Sequence, residues 1–325
     1  MILIITNRAD ITSDLLVLRL QERNIPYYRL NTEAFPSKIS LHIAFTPNFA
    51  GSIYDKETDR KIDFSEIRSV YYRRPSFPRP SIDNADESRK QFAILESLQA
   101  FRGFIENLDC FWVSRPSRIR YAENKITQLN VARKIGFKVP KTVISNNPKD
   151  VIDFIDCNKN DVVIKPVKSG FVSDEEIIFT NVINSEKIVA PNRIMKIPSI
   201  YQQYIRKKYD IRVTVFGEKV FPVEIHSQGP PDSRIDWRKS SDLNMVQKEH
   251  VIPKKIQENC LRMTSYFGLE FGAIDMVLSP ENEYFFLEIN PNGQWAWLEQ
   301  RTNYKLTDTL IDLLLIGKGV CQKNG

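Results

Sequence analysis

The sequence predicts a mixed α/β protein of two or three compact units, and three observations carry that class. Strand-like apolar runs alternate with helix-spaced ones through residues 2–113, the pattern of a sheet with helices packed on it. Beyond them come several short strands and then two hairpins, with helices between. Hydrophobic residues make up 42% and charged residues 26% of the 325, ordinary for a folded globular chain and unlike disordered or collagen-like usage. At roughly 150 residues per domain, that length gives two or three units.

The elements follow in order. Ile2–Thr6 is an apolar run that meets Arg8 and Asp10 at once and has no basic residue before it, so it is a first strand and not a signal peptide. Ser13–Arg23 has amphipathic helical spacing, and Tyr27–Asn31, Ile39–Phe45 and Arg68–Arg73 are extended runs. From Asp83 to Leu108, the residues Phe92, Leu95, Leu98, Phe101, Phe104, Ile105 and Leu108 recur three and four apart. That spacing predicts the longest helix, weakened near its end by Gly103. Phe111–Val113 is a strand stopped by Pro116, which closes a first unit over 1–117. A helix over Tyr121–Ile135 opens the second unit, with Gly136 and Pro140 as stop signals. Strands over Thr142–Ser145, Asp161–Lys165, Ile177–Thr180 and Ile200–Ile205, with a helix over Pro148–Cys157, complete an α+β unit over 118–205. The third unit, 206–325, holds a hairpin turning at Gly217-Glu218, a helix over Pro253–Phe267, a hairpin turning around Pro280–Glu283 and an apolar helix over Leu306–Ile316. The clearest loop is Pro230-Pro-Asp-Ser233.

Several function classes drop out. No run approaches the roughly 18 apolar residues of a membrane span, so no membrane is expected. Cys110, Cys157, Cys260 and Cys321 lie far apart without a CxxC pair, and His42, His226 and His250 add no ligand spacing. A structural zinc site is therefore not expected, and reduced thiols in the cytoplasm are. The net charge of +6 suits an anionic partner. Nucleic acid is not that partner, because the 46 basic residues are scattered among 40 acidic ones instead of forming a tract. No Walker-type run or GxGxxG is present.

Phe271–Leu278, a turn and Tyr284–Asn290 are the most informative segments. Alternation along a strand sets Phe286, Glu288 and Asn290 on one face and Leu287 and Ile289 on the other. A turn centred between Glu281 and Asn282 sets Asp275 opposite Glu288, and facing like charges are destabilising unless a cation lies between them. Two carboxylates and an amide oxygen are hard ligands that suit Mg2+, whose shell is completed by water and phosphate. The plain alternative is an exposed polar strand face. The basic residues are dispersed. Lys125 opens a helix, and Lys165 ends Val162-Val-Ile-Lys-Pro166, where a strand delivers a charge from a buried layer. Arg212 shares a strand face with Asp210 and Thr214, and its planar fork suits a carboxylate or phosphoryl group. Lys168-Ser-Gly170 is the one small-residue segment able to fold over phosphate. His226 is either a base for an attacking hydroxyl or a strand histidine satisfied by its neighbours. Arg73, Arg74 and Arg79 with Tyr71, Tyr72 and Phe77 either hold an acidic peptide or pack a domain interface. Trp295 and Trp297 either line an acceptor pocket or close the core.

In chain order, Lys125, Ile164-Lys-Pro166, Gln202-Gln-Tyr-Ile205, Asp210-Ile-Arg212, Asp275 and Leu287-Glu-Ile-Asn-Pro291 resemble the motifs of the ATP-grasp ligases, over the whole chain. Tyr71-Tyr-Arg-Arg-Pro75, Ser227-Gln228, Asp236-Trp-Arg238 and Glu288-Ile-Asn-Pro-Asn-Gly-Gln-Trp295 are similar to those of the graspetide-forming, microviridin-type peptide macrocyclases. The resemblance implies an ATP-grasp fold with a pre-ATP-grasp domain over 1–117, a small subdomain over 118–205 and a large, metal-bearing subdomain over 206–325. ATP and Mg2+ would lie between two sheets. It further implies a ligase that phosphorylates an Asp or Glu side chain of a ribosomal precursor peptide, with a leader and an acidic core, and closes a macrocyclic ω-ester or ω-amide. The alternative within the fold is a ligase that adds free amino acids to a peptide or protein end. By resemblance, Lys125 and Lys165 bind phosphate, Lys165 also assisting the chemistry. Gln203, Tyr204 and Ile205 read adenine with Asp210 near them, Asp275, Glu288 and Asn290 hold the metal, and Arg212 steadies the acyl phosphate. Gln203 stands where the family often has an acidic residue, and the loop at Lys168–Gly170 is poor in glycine. A cytoplasmic homodimer is also implied. Acyl-phosphate chemistry needs charge neutralisation and alignment more than a nucleophilic Ser, Cys or His, and no such arrangement is evident here.

Overall fold

The computed structural model describes residues 1–82, 85–159, 161–168, 170, 178–183, 194, 196–229, 234–239 and 245–316. The start of the long predicted helix at Asp83, the loop Pro230–Ser233 and Cys321 lie outside them. The first unit runs β1 (Ile2–Thr6), α1 (Ile11–Glu22), β2 (Tyr27–Asn31), β3 (Ile39–Ala44), β4 (Ala50–Asp55), β5 (Arg60–Asp63), β6 (Ser69–Tyr72), α2 (Glu87–Glu106) and β7 (Phe111–Val113). A parallel sheet has the order β2-β1-β6-β7, and β3-β4-β5 form a small antiparallel one. β1 is apolar at nearly every position because both its faces are covered. Leu3 and Ile5 pack beneath α2, while Ile2 and Ile4 enter a second core with Trp295. The sequence does not announce β4 and β5, whose residues are mostly polar and short in run. α2 begins at Glu87, where the Asp86 side chain accepts from Arg89 N at 2.8 Å. Its apolar spacing continues into an N-terminal half that leaves Phe92 and Leu95 exposed.

The second unit holds α3 (Pro116–Ala122), α4 (Lys125–Ile135), β8 (Thr142–Ser145), α5 (Pro148–Cys157), β9 (Val162–Lys165), β10 (Asn181–Ile183) and β11 (Ser199–Gln203). The single helix expected over Tyr121–Ile135 is two. Pro116 starts α3 from the first helical position, and Asn124 caps α4 by accepting from Thr127 N at 3.0 Å. Lys125 thereby becomes the first residue of α4, and Gly136, at φ +103°, closes the helix. Of the strand expected over Ile177–Thr180, Ile177 lies outside the described residues and 178–180 are not strand; β10 is Asn181–Ile183, which pairs with β9 in an antiparallel sheet of order β10-β9-β11-β8.

The third unit holds β12 (Tyr209–Phe216), β13 (Lys219–Ile225), β14 (Gln247–Glu249), α6 (Lys254–Phe267), β15 (Phe271–Leu278), β16 (Tyr284–Asn290), α7 (Ala296–Glu299) and α8 (Leu306–Ile316). Its antiparallel sheet has the order β14-β13-β12-β15-β16. Ile211, Val213, Ile274 and Met276 face a core built with α4 and α6, so strand alternation turns Asp210, Arg212 and Asp275 to the other face. The pair Asp275–Glu288 forms as expected, but by another route. Leu278 pairs with Tyr284 and Met276 with Phe286, a register that would match Asp275 with Leu287; a bulge between Met276 and Asp275 shifts the partner to Glu288. The bulge also corrects the predicted faces, because Phe286 is buried with Ile289 in the α6-side core and does not share a face with Glu288. No helix among the described residues is long and apolar enough to cross a membrane.

Asn124→Ala removes the α4 cap and is expected to cost about 1 kcal/mol, read as a lowered denaturant midpoint that Asn124→Ser largely restores.

Candidate active site

A cleft of about 840 Å3 is lined from the antiparallel sheets of the second and third units and from the start of α4. At its centre is Glu288, whose carboxylate lies 3.1 Å from Lys125 Nζ and 3.3 Å from Arg238 Nη1. Burial pushes this carboxyl up, but the charges of Lys125, Arg238 and Lys165 outweigh it and hold Glu288 down at about 2. Across the hairpin, Arg212 Nη1 reaches both oxygens of Asp275, at 2.8 and 2.7 Å. Burial nonetheless raises the Asp275 carboxyl, and the neighbouring Glu288 charge adds to that. The cation expected between the facing carboxylates is thus supplied, in this state, by three basic side chains. Asn290 Oδ1 accepts from Asn292 N at 2.9 Å and faces the same cleft.

The donor set suits a divalent cation that carries phosphate. Two carboxylates and an amide converge from one hairpin, and Mg2+ takes no more than one or two protein carboxylates, leaving its other positions to water and nucleotide. No three His, Cys, Asp or Glu side chains among the described residues are grouped as a metal site.

On the opposing sheet, Lys165 Nζ donates to Gln202 Oε1 at 2.7 Å, and Gln202 Nε2 donates to Thr142 Oγ1 at 2.9 Å. Burial brings Lys165 down to about 8, with Glu288 pulling the other way. Gln203, Tyr204 and Ile205 form the connection beside it. The amides of Gln203 and Tyr204 donate to the carbonyls of Lys141 and Asp161, which leaves Ile205 as the one amide of the three without a carbonyl acceptor among the described residues. Asp210 reaches the cleft wall with both oxygens held by Lys207 Nζ, at 2.8 and 2.7 Å, and with Ser227 Oγ donating to it. Gly170 lines the cleft against Ile178, whose carbonyl oxygen would lie 1.8 Å from any Cβ, so the backbone there passes too closely for a side chain.

None of the four expected substrate residues lines the cleft. Arg73 is 1% exposed and paired with Asp10, so it packs the domain interface and cannot grip a peptide. Arg74, exposed beside it, donates from Nε to Asn292 O at 3.1 Å. Trp295 is fully buried, donates to Tyr71 Oη at 3.1 Å and closes the core. His226 lies on the α6 face of the sheet, away from the cleft, because it follows Glu224, whose partner Ile211 faces that core. Its Nε2 is 2.8 Å from Glu224 Oε1, and its ring packs against Tyr209. Arg238 also lines the cleft, a site role that its sequence motif alone does not reveal. Its fork is fixed by Asp236, with contacts of 2.8 and 2.7 Å, and Asp236 is held at about 2: burial raises it, but Arg238 prevails. Lys207 and Gln202 carry no sequence signal beyond their neighbours.

If a phosphate meets Lys165 as an ammonium, anion affinity falls once pH passes the free residue's value near 8. ADP affinity is therefore expected to drop up to about tenfold between pH 7.5 and 9, measured by calorimetry, and Lys165→Arg to flatten that profile. His226→Asn is expected to leave ATP turnover within about twofold of the parent, since surface changes away from a site have small effects.

Residues 1–120 match the MvdD pre-ATP-grasp domain, and residues 122–314 the RimK-like ATP-grasp domain. A RiPP-associated ATP-grasp ligase of Chryseobacterium gregarium, solved in complex with ADP and a leader and core peptide, is 30% identical and has a TM-score of 0.90 over 100% of this chain and 99% of its own. The macrocyclase MdnC of Microcystis aeruginosa MRC, bound with precursor peptide MdnA, is 27% identical with a TM-score of 0.85, over 97% of this chain and 99% of its own. Among curated proteins, the α-aminoadipate–LysW ligase LysX of Sulfurisphaera tokodaii is 24% identical across 63% of this chain and 72% of its own. Both halves of the chain thus find their counterparts in one contiguous relative, and the chain belongs to the RimK-like ATP-grasp ligases, in their RiPP-associated branch.

Proposed function

We propose that this chain is an ADP-forming peptide macrocyclase: it phosphorylates a side-chain carboxylate of a ribosomal precursor peptide and joins that carboxyl to a hydroxyl or amine of the same peptide. The observation that carries this reading is the cluster of Lys125, Arg212 and Arg238 around the paired carboxylates Asp275 and Glu288, in a cleft lined from two sheets. Membership beside a ligase solved with ADP, leader and core supports it.

Asp275, Glu288 and Asn290 would hold Mg2+, which supplies charge neutralisation for the triphosphate when bound. Lys125, whose Nζ donates to Pro166 O at 3.4 Å, and its neighbour Lys165 would take phosphate oxygens, and the Ile205 amide would meet adenine. The substrate carboxylate attacks the terminal phosphorus and ADP leaves. The hydroxyl or amine then attacks the acyl carbon, phosphate leaves, and the peptide has lost one water per ring. Arg212 and Arg238 flank the point where charge accumulates, so preorganised cations do the work and no covalent enzyme intermediate is needed. The division into 1–117, 118–205 and 206–325 stays our domain reading. ATP as substrate and unpaired thiols at Cys110, Cys157 and Cys260 support the cytoplasm as its compartment. For the homodimer, the exposed apolar half of α2 offers a surface, with Phe92 65% and Leu95 53% exposed.

Incubating precursor peptides encoded beside this gene with the protein, Mg2+ and ATP is expected to give products lighter by one or more waters in intact mass, with none for Glu288→Gln. A gain of amino-acid mass would instead select the ligation of free amino acids. Phe92→Asp with Leu95→Asp is expected to halve the solution mass measured by light scattering.

A further inference from the structure

Asp10 and Arg73 form a buried ion pair in the first unit, yet its free arm points at the metal hairpin of the third. Arg73 Nε lies 3.2 Å from Asp10, and Nη2 donates to Thr12 Oγ1 at 3.3 Å. Asp10 is held in turn by the hydroxyls of Ser13 and Thr6, at 2.5 and 3.2 Å. With two edges of the guanidinium so fixed, Nη1 donates to Gly293 O at 2.9 Å and to Asn292 O at 3.3 Å. These carbonyls belong to the turn that leaves β16 at Asn290. The amides of Asn292 and Gly293 fold back on Asn290, at Oδ1 and at its own carbonyl, at 2.9 and 3.3 Å. The far side of the turn rests on Arg212: a Cβ at Gly293 would lie 2.5 Å from Arg212 Nη2, and that nitrogen donates to Gln294 O at 3.3 Å.

We propose that Asp10 and Arg73 are positioning residues for the ligase reaction, pressing the 290–294 turn onto Arg212 so that Asn290 and the Arg212–Asp275 fork keep the geometry that metal and phosphate require. A guanidinium suits this role because its planar donors satisfy a carboxylate and two carbonyls at once, which an ammonium cannot do in fixed directions. Neither residue of the pair lines the cleft; it acts through the turn. This inference rests on the assignment of Asp275, Glu288 and Asn290 to Mg2+.

The test compares Asp10→Asn/Arg73→Gln, which leaves no stranded charge, and Arg73→Lys, which retains the charge pair and loses the fork. The readouts are thermal unfolding, the factor by which Mg2+ tightens ADP in calorimetry, and kcat and KM for precursor peptide. Outer-shell partners of metal ligands commonly set 10–100-fold of metal affinity, so both variants are expected to fold, to lose about tenfold or more of the Mg2+ effect and of kcat, and to keep peptide KM within about twofold. Gly293→Ala, pushing on the turn from the other side, is expected to do the same. An unchanged Mg2+ effect and kcat in folded variants would show a purely structural pair, and a raised peptide KM with the Mg2+ effect intact would make Arg73 a peptide contact; either overturns the proposal. Should the double variant unfold, Arg73→Lys alone decides. Parent protein in which Mg2+ fails to tighten ADP would overturn the metal assignment itself, a result distinct from variants that merely equal a responsive parent.

Discussion

Two carboxylates facing one another across the β15–β16 hairpin are the constraint around which the rest of the molecule is arranged. Half-buried acids in that register repel each other and lose hydration, so they persist only where cations are brought to them. The cations come from separate parts of the chain: Lys125 from the start of α4, Arg212 from β12, and Arg238 from a segment anchored on Asp236. Each needs its own local structure to arrive, whether a helix cap, a strand parity or a buried acid. Fold and site are therefore one problem here, since the same ion pairs that make the hairpin tolerable also draw the walls of the cleft together.

Charge balance also explains how such a site becomes receptive. Glu288 is fully engaged by Lys125 and Arg238, and Asp275 by Arg212, so under the proposed function loading metal and nucleotide would be an exchange of partners in which the bases pass from carboxylate to phosphate. The net cost of desolvating the acids has already been met in folding. Lys165 differs from these bases: its hydrogen-bond partner is the neutral Gln202, and burial weakens its hold on the proton. It is the member of the set whose charge stands to gain most from an incoming anion.

Much of this was legible in the sequence, and the misses share physical causes. α5, β8 and α8 lie where spacing and stop residues put them, because strong local patterns agree with their tertiary setting. The Asp275–Glu288 pair was found from a turn centred half a residue too late, an error that the bulge cancels for this pair and exposes for Phe286. A bulge of one residue leaves no compositional trace. The break between α3 and α4 was signalled by Asn124 but hidden by continuous helical spacing. Arg73, Trp295 and His226 were open questions because local sequence does not say which face of the protein another unit will cover. For Arg73 and Trp295 that is settled by contacts more than two hundred residues apart, such as Trp295 on Tyr71, and for His226 by Glu224 and Tyr209 of its own sheet.

The seam between the first unit and the ligase body has a consequence for engineering. Tyr71, Arg73 and Arg74 grip residues 292–295, while Arg19 of α1 and Arg23 at its C-cap pair with Asp308 and Asp312 of α8. The amino-terminal unit is thus joined to the carboxyl-terminal end of the chain, not merely to the segment that follows it. A chimera cut cleanly between the family-matched halves would separate both sets of partners. A transplant of substrate preference between relatives would have to carry α1, the strand through Arg74, the turn after Asn290 and α8 as a single co-inherited block.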